Sequence, residues 1–551
     1  MSFCTLTGHP SPILWVELVD PFCPPVLESW GSTTLTTRRD NSPTVGIDLG
    51  TTFSVVAHID STGHPVTLAN AEGDRTTPSA VLFDGDDVIV GKEALKAMAS
   101  EAERVAEGSK RDVGQRVFRK TLDGKQYPPE VIEAFILNKL KTDAEAQLGP
   151  FTKAVITVPA YFDEVRRKAT QDAGYMAGLD VLDIINEPTA AAVSFGHLQG
   201  FLSEDGSAKD TQRFLVYDLG GGTFDVTIME IRGRAFITLA TDGDVQLGGY
   251  EWDQRLVDLV AEQFIREHGL DPRDDISAAG KLWRECEDAK RTLSARSKAA
   301  VTCDFQGKSA RVEIAREQFE EGCQDLVDRT RFTTVQTLSA AGLEWDDLDR
   351  VLLVGGSTRM PMIHQMLKEV SGKTPDSSVA ADEAVAHGAA LRARLLLDRA
   401  NGQPSSFRIK NVNSHSLGVV GTDPQTGRSR TGVVIPRNTP LPVTAKRTFR
   451  TKKTDQRSIL VRIVEGESPT PDDCVQLGRC SVPNLPRHLP MGTPINVMFD
   501  YKSDGRLGVH VSVSDTDARI EASIARENSL SKEHMDGWRS YISGAEPTDY
   551  R

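Results

Sequence analysis

Hydrophobic positions along the chain change texture twice. Two apolar runs flank a small polar turn in Val45-Gly-Ile-Asp-Leu-Gly-Thr-Thr-Phe-Ser-Val-Val-Ala57, a pattern that predicts a buried hairpin. The arrangement returns in Phe214-Leu-Val-Tyr-Asp-Leu-Gly-Gly-Gly-Thr-Phe-Asp-Val-Thr-Ile228, where Asp218 stands 170 residues after Asp48. A spacing that long predicts two similar lobes made by duplication, not a solenoid of short repeats. A third apolar strand ends in a glycine turn, Val351-Leu-Leu-Val-Gly-Gly-Ser-Thr-Arg359, and leads into a helix expected near Pro361, where proline suits a first helical turn. Between these strands, apolar positions recur at helical spacing, as in Glu251 to His268 and Ala279 to Leu293. Strands alternating with helices indicate a mixed α/β architecture.

After about residue 400 the pattern shifts to short alternating runs broken by Gly, Pro and Asn, such as Ser458-Ile-Leu-Val-Arg-Ile-Val464 and Leu507-Gly-Val-His-Val-Ser-Val513. The expected division is a disordered or misassigned extension at 1–42, rich in Pro, Ser and Thr, and a two-lobed domain at 43–400. A linker at 401–412, a β-rich domain at 413–530 and a short tail at 531–551, with room for about one helix, complete it.

Composition narrows the function classes. With 551 residues, 39% hydrophobic and 26% charged, the chain is neither disordered nor a single compact domain. A net charge of −14 argues against a protein that coats nucleic acid or an anionic membrane. Within 403–530, however, 18 Lys and Arg face 12 Asp and Glu, so the two parts are expected to meet different partners. No stretch reaches the ~18 apolar residues of a membrane span, and the N-terminus lacks the basic-then-apolar start of a secretory signal. Seven cysteines without a Cys-x-x-Cys pair point to a reducing, cytoplasmic setting and away from zinc ribbons or a disulfide framework.

Two glycine turns facing each other across a cleft would surround a polyphosphate with backbone N–H donors, since glycine lets the backbone approach closely. Asp48, Asp218 and Asp225 are then placed to organise a magnesium ion, mostly through its water shell. Thr51, Thr52 and Thr223 add short hydroxyls within reach of phosphate oxygens.

Eight runs make this specific: Ile47-Asp-Leu-Gly-Thr-Thr52, Thr157-Val-Pro-Ala-Tyr-Phe162, Ile185-Asn-Glu-Pro-Thr-Ala-Ala-Ala192, Asp218-Leu-Gly-Gly-Gly-Thr-Phe-Asp225, Leu247-Gly-Gly249, Glu287-Asp-Ala-Lys-Arg-Thr-Leu-Ser294, Val354-Gly-Gly-Ser-Thr-Arg-Met-Pro361 and Asp382-Glu-Ala-Val-Ala386. In identity and order the chain resembles the DnaK-type, seventy-kilodalton heat-shock chaperones of the actin-like ATPase superfamily, over about residues 44–395 and more weakly to about 525. The resemblance implies a two-lobed actin-like ATPase domain followed by a β-sandwich that binds peptide.

Residue by residue, it implies that Lys110 positions the attacking water and the γ-phosphate, with Glu187, Thr223 and Asp225 beside it in catalysis. Asp48 and Asp218 would hold Mg2+. The phosphates of ATP would lie against Gly50, Thr51, Thr52, Phe53, Gly220, Gly221, Gly222, Gly248 and Gly249. The nucleoside would meet Glu287, Lys290, Arg291 and Ser294, which share one helical face, and Gly355, Gly356, Ser357 and Arg359 opposite, with Asp382 supporting the pocket from behind. Pro159 and Arg167 would relay the nucleotide state between domains, and Val419 and Ile459 would line a peptide channel.

Three departures from the family pattern shape the expectation. In the linker, Phe407-Arg-Ile-Lys-Asn-Val412 carries positive charge at two positions that the family keeps apolar, so docking of the linker, and hence coupling, is expected to be weak. The tail is too short for the family's helical lid, which predicts fast peptide release. Tyr250-Glu-Trp-Asp253 replaces an acidic-acidic-Phe-Asp run after the Gly-Gly pair. The reading that follows is an MgATP-hydrolysing chaperone for extended segments of unfolded polypeptide, served by a J-domain co-chaperone and a nucleotide-exchange factor, without nucleic acid or membrane. A small-molecule kinase or a nucleotide-dependent scaffold of the same superfamily is the alternative.

Overall fold

Each glycine turn sits at the tip of an antiparallel hairpin, and each hairpin is extended by a parallel strand on the same side. The computed structural model describes residues 42–544 except 86, 203–207, 405–406, 484, 503–506, 515, 517 and 524–529, so the expected extension at 1–42 falls outside it but for Ser42. In the first lobe Thr44–Asp48 pairs antiparallel with Phe53–Ile59 and parallel with Lys153–Val158. In the second, Ala208–Leu219 pairs antiparallel with Phe224–Gly233 and parallel with Arg350–Val354. The repeated pairing is the structural form of the 170-residue sequence repeat. Strands buried on both faces explain the continuous apolar runs, with Val45 and Ile47 in one sheet and Leu215, Val216 and Tyr217 in the other fully buried.

Helices cover the sheets. Gly249–His268 and Ile276–Ala295 pack Trp252, Phe264, Leu282 and Leu293 into the second lobe's core. Helix Pro361–Ser371 starts with proline in its first turn. Helix Ala384–Ala400 crosses the first sheet so closely that a Cβ on Gly46 would lie 2.0 Å from the Ala390 nitrogen, which is why the strand carries glycine there.

Compact units divide at Ser414/His415 and again at Glu527/Asn528. The unit from His415 to Glu527 holds two four-stranded antiparallel sheets, one built on Leu417–Thr422 and Ile459–Glu465, the other on Pro494–Tyr501 and Leu507–Val513. Alternating residues such as Val461, Ile463, Val497, Phe499 and Val511 are buried between them.

Both flanks of this unit belong to the ATPase-like unit, and the first of them corrects an expectation. Arg408–Lys410 forms an edge strand parallel to Ala235–Asp244. Phe407 is buried edge-on against Phe236, 5.8 Å between ring centres, while Arg408 and Lys410 point to solvent. Strand alternation disposes of the two charges, so they do not keep the linker off the sheet. The short tail holds the one helix its length allows. Ser531 caps helix Lys532–Ile542, which lies on helices Pro129–Leu148 and Glu164–Met176. Met535, Trp538, Tyr541 and Ile542 join the first lobe's core, with Tyr541 edge-on to Phe135 at 6.1 Å and Arg539 over the Tyr175 ring at 4.7 Å. The Tyr175 hydroxyl donates to Asp536, and Asn138 Nδ2 donates to the Ile542 carbonyl at 3.4 Å.

Candidate functional site

The two hairpin tips open onto a cleft of about 520 Å3, within the range of small-molecule sites. The first tip is braced by hydroxyls: Gly50 N–H donates to Ser54 Oγ at 3.2 Å and Ser79 Oγ–H donates to the Gly50 carbonyl at 2.7 Å. The second is braced by backbone and glycine: Gly249 N–H and Tyr250 N–H donate to the carbonyls of Gly220 and Gly221 at 3.0 and 2.8 Å. Ser357 Oγ–H also donates to the Gly220 carbonyl, at 2.8 Å. The tips touch, since a Cβ on Gly221 would fall 1.9 Å from Thr52 Oγ1.

Asp48, Asp218 and Glu187 at the cleft base, with Asp225 beneath them, gather around one ammonium, Lys110, whose Nζ donates to Glu187 Oε1 at 2.5 Å. Thr157 Oγ1–H donates to Asp48 at 3.1 Å and Tyr161 N–H donates to Asp225 at 2.9 Å. Loss of hydration and then the Glu187 charge push Asp48 up to about 7 and Asp225 up to about 8, and raise Asp218 well above the carboxylate range. Lys110 is held above its ordinary value: burial opposes its charge, but Glu187 and Asp48 outweigh that. Four acids sharing one cation form a site that would be relieved by a further positive charge. Among the described residues no three His, Cys, Asp or Glu side chains converge to chelate a metal directly. Carboxylate oxygens of this kind suit a hard cation such as Mg2+.

The far end of the cleft is a charged helical face. Glu287 accepts from Arg284 and Arg291, both at 2.6 Å. Arg291 lies over the Phe53 ring at 5.6 Å, joining the two lobes across the opening. Lys290 turns beneath, donating to Asp253 at 2.7 Å and to the Gly249 carbonyl at 3.0 Å. Arg359 pairs with Asp382 at 2.6 Å.

A family model described as Hsp70 protein matches residues 44–541. Curated relatives agree: Chaperone protein DnaK of Thermotoga neapolitana is 41% identical over 503 residues, 89% of this chain and 82% of that one. Chaperone protein DnaK of Thermosipho africanus is 40% identical over 489 residues, 87% of this chain and 79% of that one. The chain belongs to the Hsp70 family.

Against the Hsp70 expectation, the structure brings most anticipated residues together. Asp48, Lys110, Glu187, Asp218 and Thr223 line the base of the cleft, Gly50, Thr51, Thr52, Phe53, Gly220 and Gly221 its middle, and Glu287, Lys290, Arg291, Ser294, Gly355, Gly356, Ser357, Arg359 and Asp382 the far end. Four do not face it. Asp225 lies beneath the second tip, and Gly222, Gly248 and Gly249 form the floor under it, where a Cβ on Gly248 would meet the Gly222 nitrogen at 2.5 Å. Pro159 is buried, and Arg167 donates to the carbonyls of Ala160 and Phe162, each at 3.0 Å, fixing the turn that offers Tyr161 N–H to Asp225. Val419 and Ile459, 4% and 5% exposed, are enclosed within the sandwich unit.

Sequence reasoning passed over several residues that brace the cleft. Arg284 grips Glu287 and stands at i, i+3, i+7 with Glu287 and Arg291, a spacing that could have found it. Arg111 lies over the ring of Tyr250 at 5.4 Å and pairs with Glu251 at 2.6 Å, tying the turn that holds Lys110 to the second lobe. Tyr250, noted only as a departure, packs against Gly108.

Proposed function

We propose that this Hsp70 chain binds MgATP in the cleft, hydrolyses it by in-line attack of water, and uses the change to control how its sandwich unit holds extended segments of unfolded polypeptide. The observation that carries the reading is the buried Lys110–Glu187 pair set among Asp48 and Asp218 between two glycine tips. An ammonium there stabilises charge on the transferring phosphoryl group, and Glu187 orients the water. Bound Mg2+ would neutralise phosphate charge, with Asp48 and Asp218 holding its waters. The docked linker strand supports coupling between ATP state and polypeptide binding, because it is part of the second lobe's sheet. A J-domain co-chaperone and a nucleotide-exchange factor would serve the cycle. The cytoplasm suits the described cysteines, all of which are free.

Family membership weighs against the kinase and scaffold alternatives. ATP turnover measured with and without an unfolded peptide, and with a panel of sugars, tests all three. Peptide stimulation is the expected result; sugar phosphorylation would overturn the reading. Lys110→Ala should still bind nucleotide but lose turnover a hundredfold or more.

A further inference from the structure

Besides the four acids around it, Lys110 has a further carboxylate nearby that the hydrolysis reading leaves without a task. Glu133 sits just inside the N-terminal end of helix Pro129–Leu148 and is 1% exposed. Its Oε1 accepts from Ser109 Oγ–H at 2.7 Å, and its Oε2 is buried without a hydrogen-bond partner. Stability alone does not account for it: a carboxylate buried with a single hydrogen bond costs free energy that an apolar side chain of that size would not.

Ser109 is the first residue of the single turn Ser109–Arg111, entered through Gly108 in the left-handed region at φ 64°. Three residues of chain thus carry both Lys110 to Glu187 and Arg111 to Glu251. A turn this short has little internal stiffness, and the Glu133–Ser109 hydrogen bond ties it to a 20-residue helix. Glu133 also acts electrostatically on Lys110.

We propose that Glu133 is a positioning residue for ATP hydrolysis: through Ser109 it locks the turn that aims the Lys110 ammonium at the γ-phosphate. The proposal rests on the reading of Lys110 given above. Glu133 touches neither nucleotide nor water in this account. Its effect belongs in the transition state, where a small misplacement of Lys110 is costly, and not in nucleotide binding.

The test is steady-state ATP turnover by the full chain carrying Glu133→Ala, Ser109→Ala, Glu133→Gln or Lys110→Ala. Glu133→Ala and Ser109→Ala should each lower kcat roughly tenfold while KM for ATP stays within about twofold, and the double variant should be no worse than either single, since both break one link. Glu133→Gln keeps an acceptor for the Ser109 hydroxyl and should recover most of kcat. Wild-type kcat in Ser109→Ala, or a rise in KM matching the fall in kcat, would overturn the proposal even if Glu133→Ala fails to fold. Lys110→Ala separates the two claims. Its loss of turnover beside an unaffected Ser109→Ala removes Glu133 alone, whereas normal turnover in Lys110→Ala removes the reading on which the proposal stands.

Discussion

The two glycine tips are held in the same form by different parts. The first has one glycine, Gly50, and relies on the hydroxyls of Ser54 and Ser79 to hold its carbonyl and N–H. The second has three glycines and relies on neighbouring backbone, with Gly248 and Gly249 packed under it. Each is backed by a buried acid and a lysine: Glu133 near Lys110 on the first side, Asp253 bonded to Lys290 on the second. The difference teaches that a glycine in such a tip answers to whatever touches it. Gly221 and Gly222 leave room for Thr52 and Thr51 of the other tip, whereas a Cβ on Gly220 would find its nearest atom at 3.7 Å, an ordinary contact.

Substitutions at these positions break the comparison in a definite order. Gly50→Ala should do most, because its Cβ would lie 2.0 Å from the Phe53 carbonyl oxygen within the same tight turn, and backbone cannot step aside. We expect a loss of nucleotide affinity of about a hundredfold or more by calorimetry, equivalent to ~2.7 kcal/mol. Gly221→Ala comes next: its clash is with the Thr52 side chain, so affinity should fall roughly tenfold and be partly restored by Thr52→Ala in the same chain. Restoration absent from the double variant would show that the strain lies in the backbone instead.

A pH series sharpens the contrast between the two backing acids. Burial pushes Glu133 up to about 7 and Asp253 up to about 6, the latter moderated by Lys290. Carboxyls raised in the fold bind protons that the unfolded chain has released, so stability is greatest below their unfolded values and falls as pH rises from about 4.5 toward 7. Glu133→Gln should therefore leave Tm unchanged near pH 4.5 and raise it near pH 8, by up to about 3 kcal/mol in stability. An identical pH slope in the variant would contradict the burial-raised proton affinity of Glu133. Gly220→Ala is the smallest expected effect, with affinity and turnover within about twofold of wild type, and a large loss there would undo the account of the second tip.

Much of the site was legible because its signals are local. Asp-Leu-Gly at the end of an apolar strand announces a hairpin tip whether or not the partner lobe is known, and Glu287, Lys290, Arg291 and Ser294 share a face by helical arithmetic alone. What escaped depends on partners distant in sequence or on orientation. The linker was read by counting charge, yet alternation decides which side chains meet the sheet, and Phe407 and Ile409 fall on the inward positions. Trp538 and Tyr541 finish a helix whose partners, Tyr127 and Phe135, lie some four hundred residues earlier, so nothing nearby marks it as packed. Glu133 hides in the run Val131-Ile-Glu-Ala-Phe-Ile136, where an acid near a helix start passes for a favourable dipole contact.

Helix Lys532–Ile542 returns the chain to the body it left before the sandwich unit. The sandwich unit is an insertion whose entry strand and exit helix are both seated on the same body. A single protease cut anywhere between His415 and Glu527 would therefore not shed the downstream fragment under native conditions: it would stay bound through Trp538, Tyr541 and Ile542, and part only when the aromatic seat is denatured.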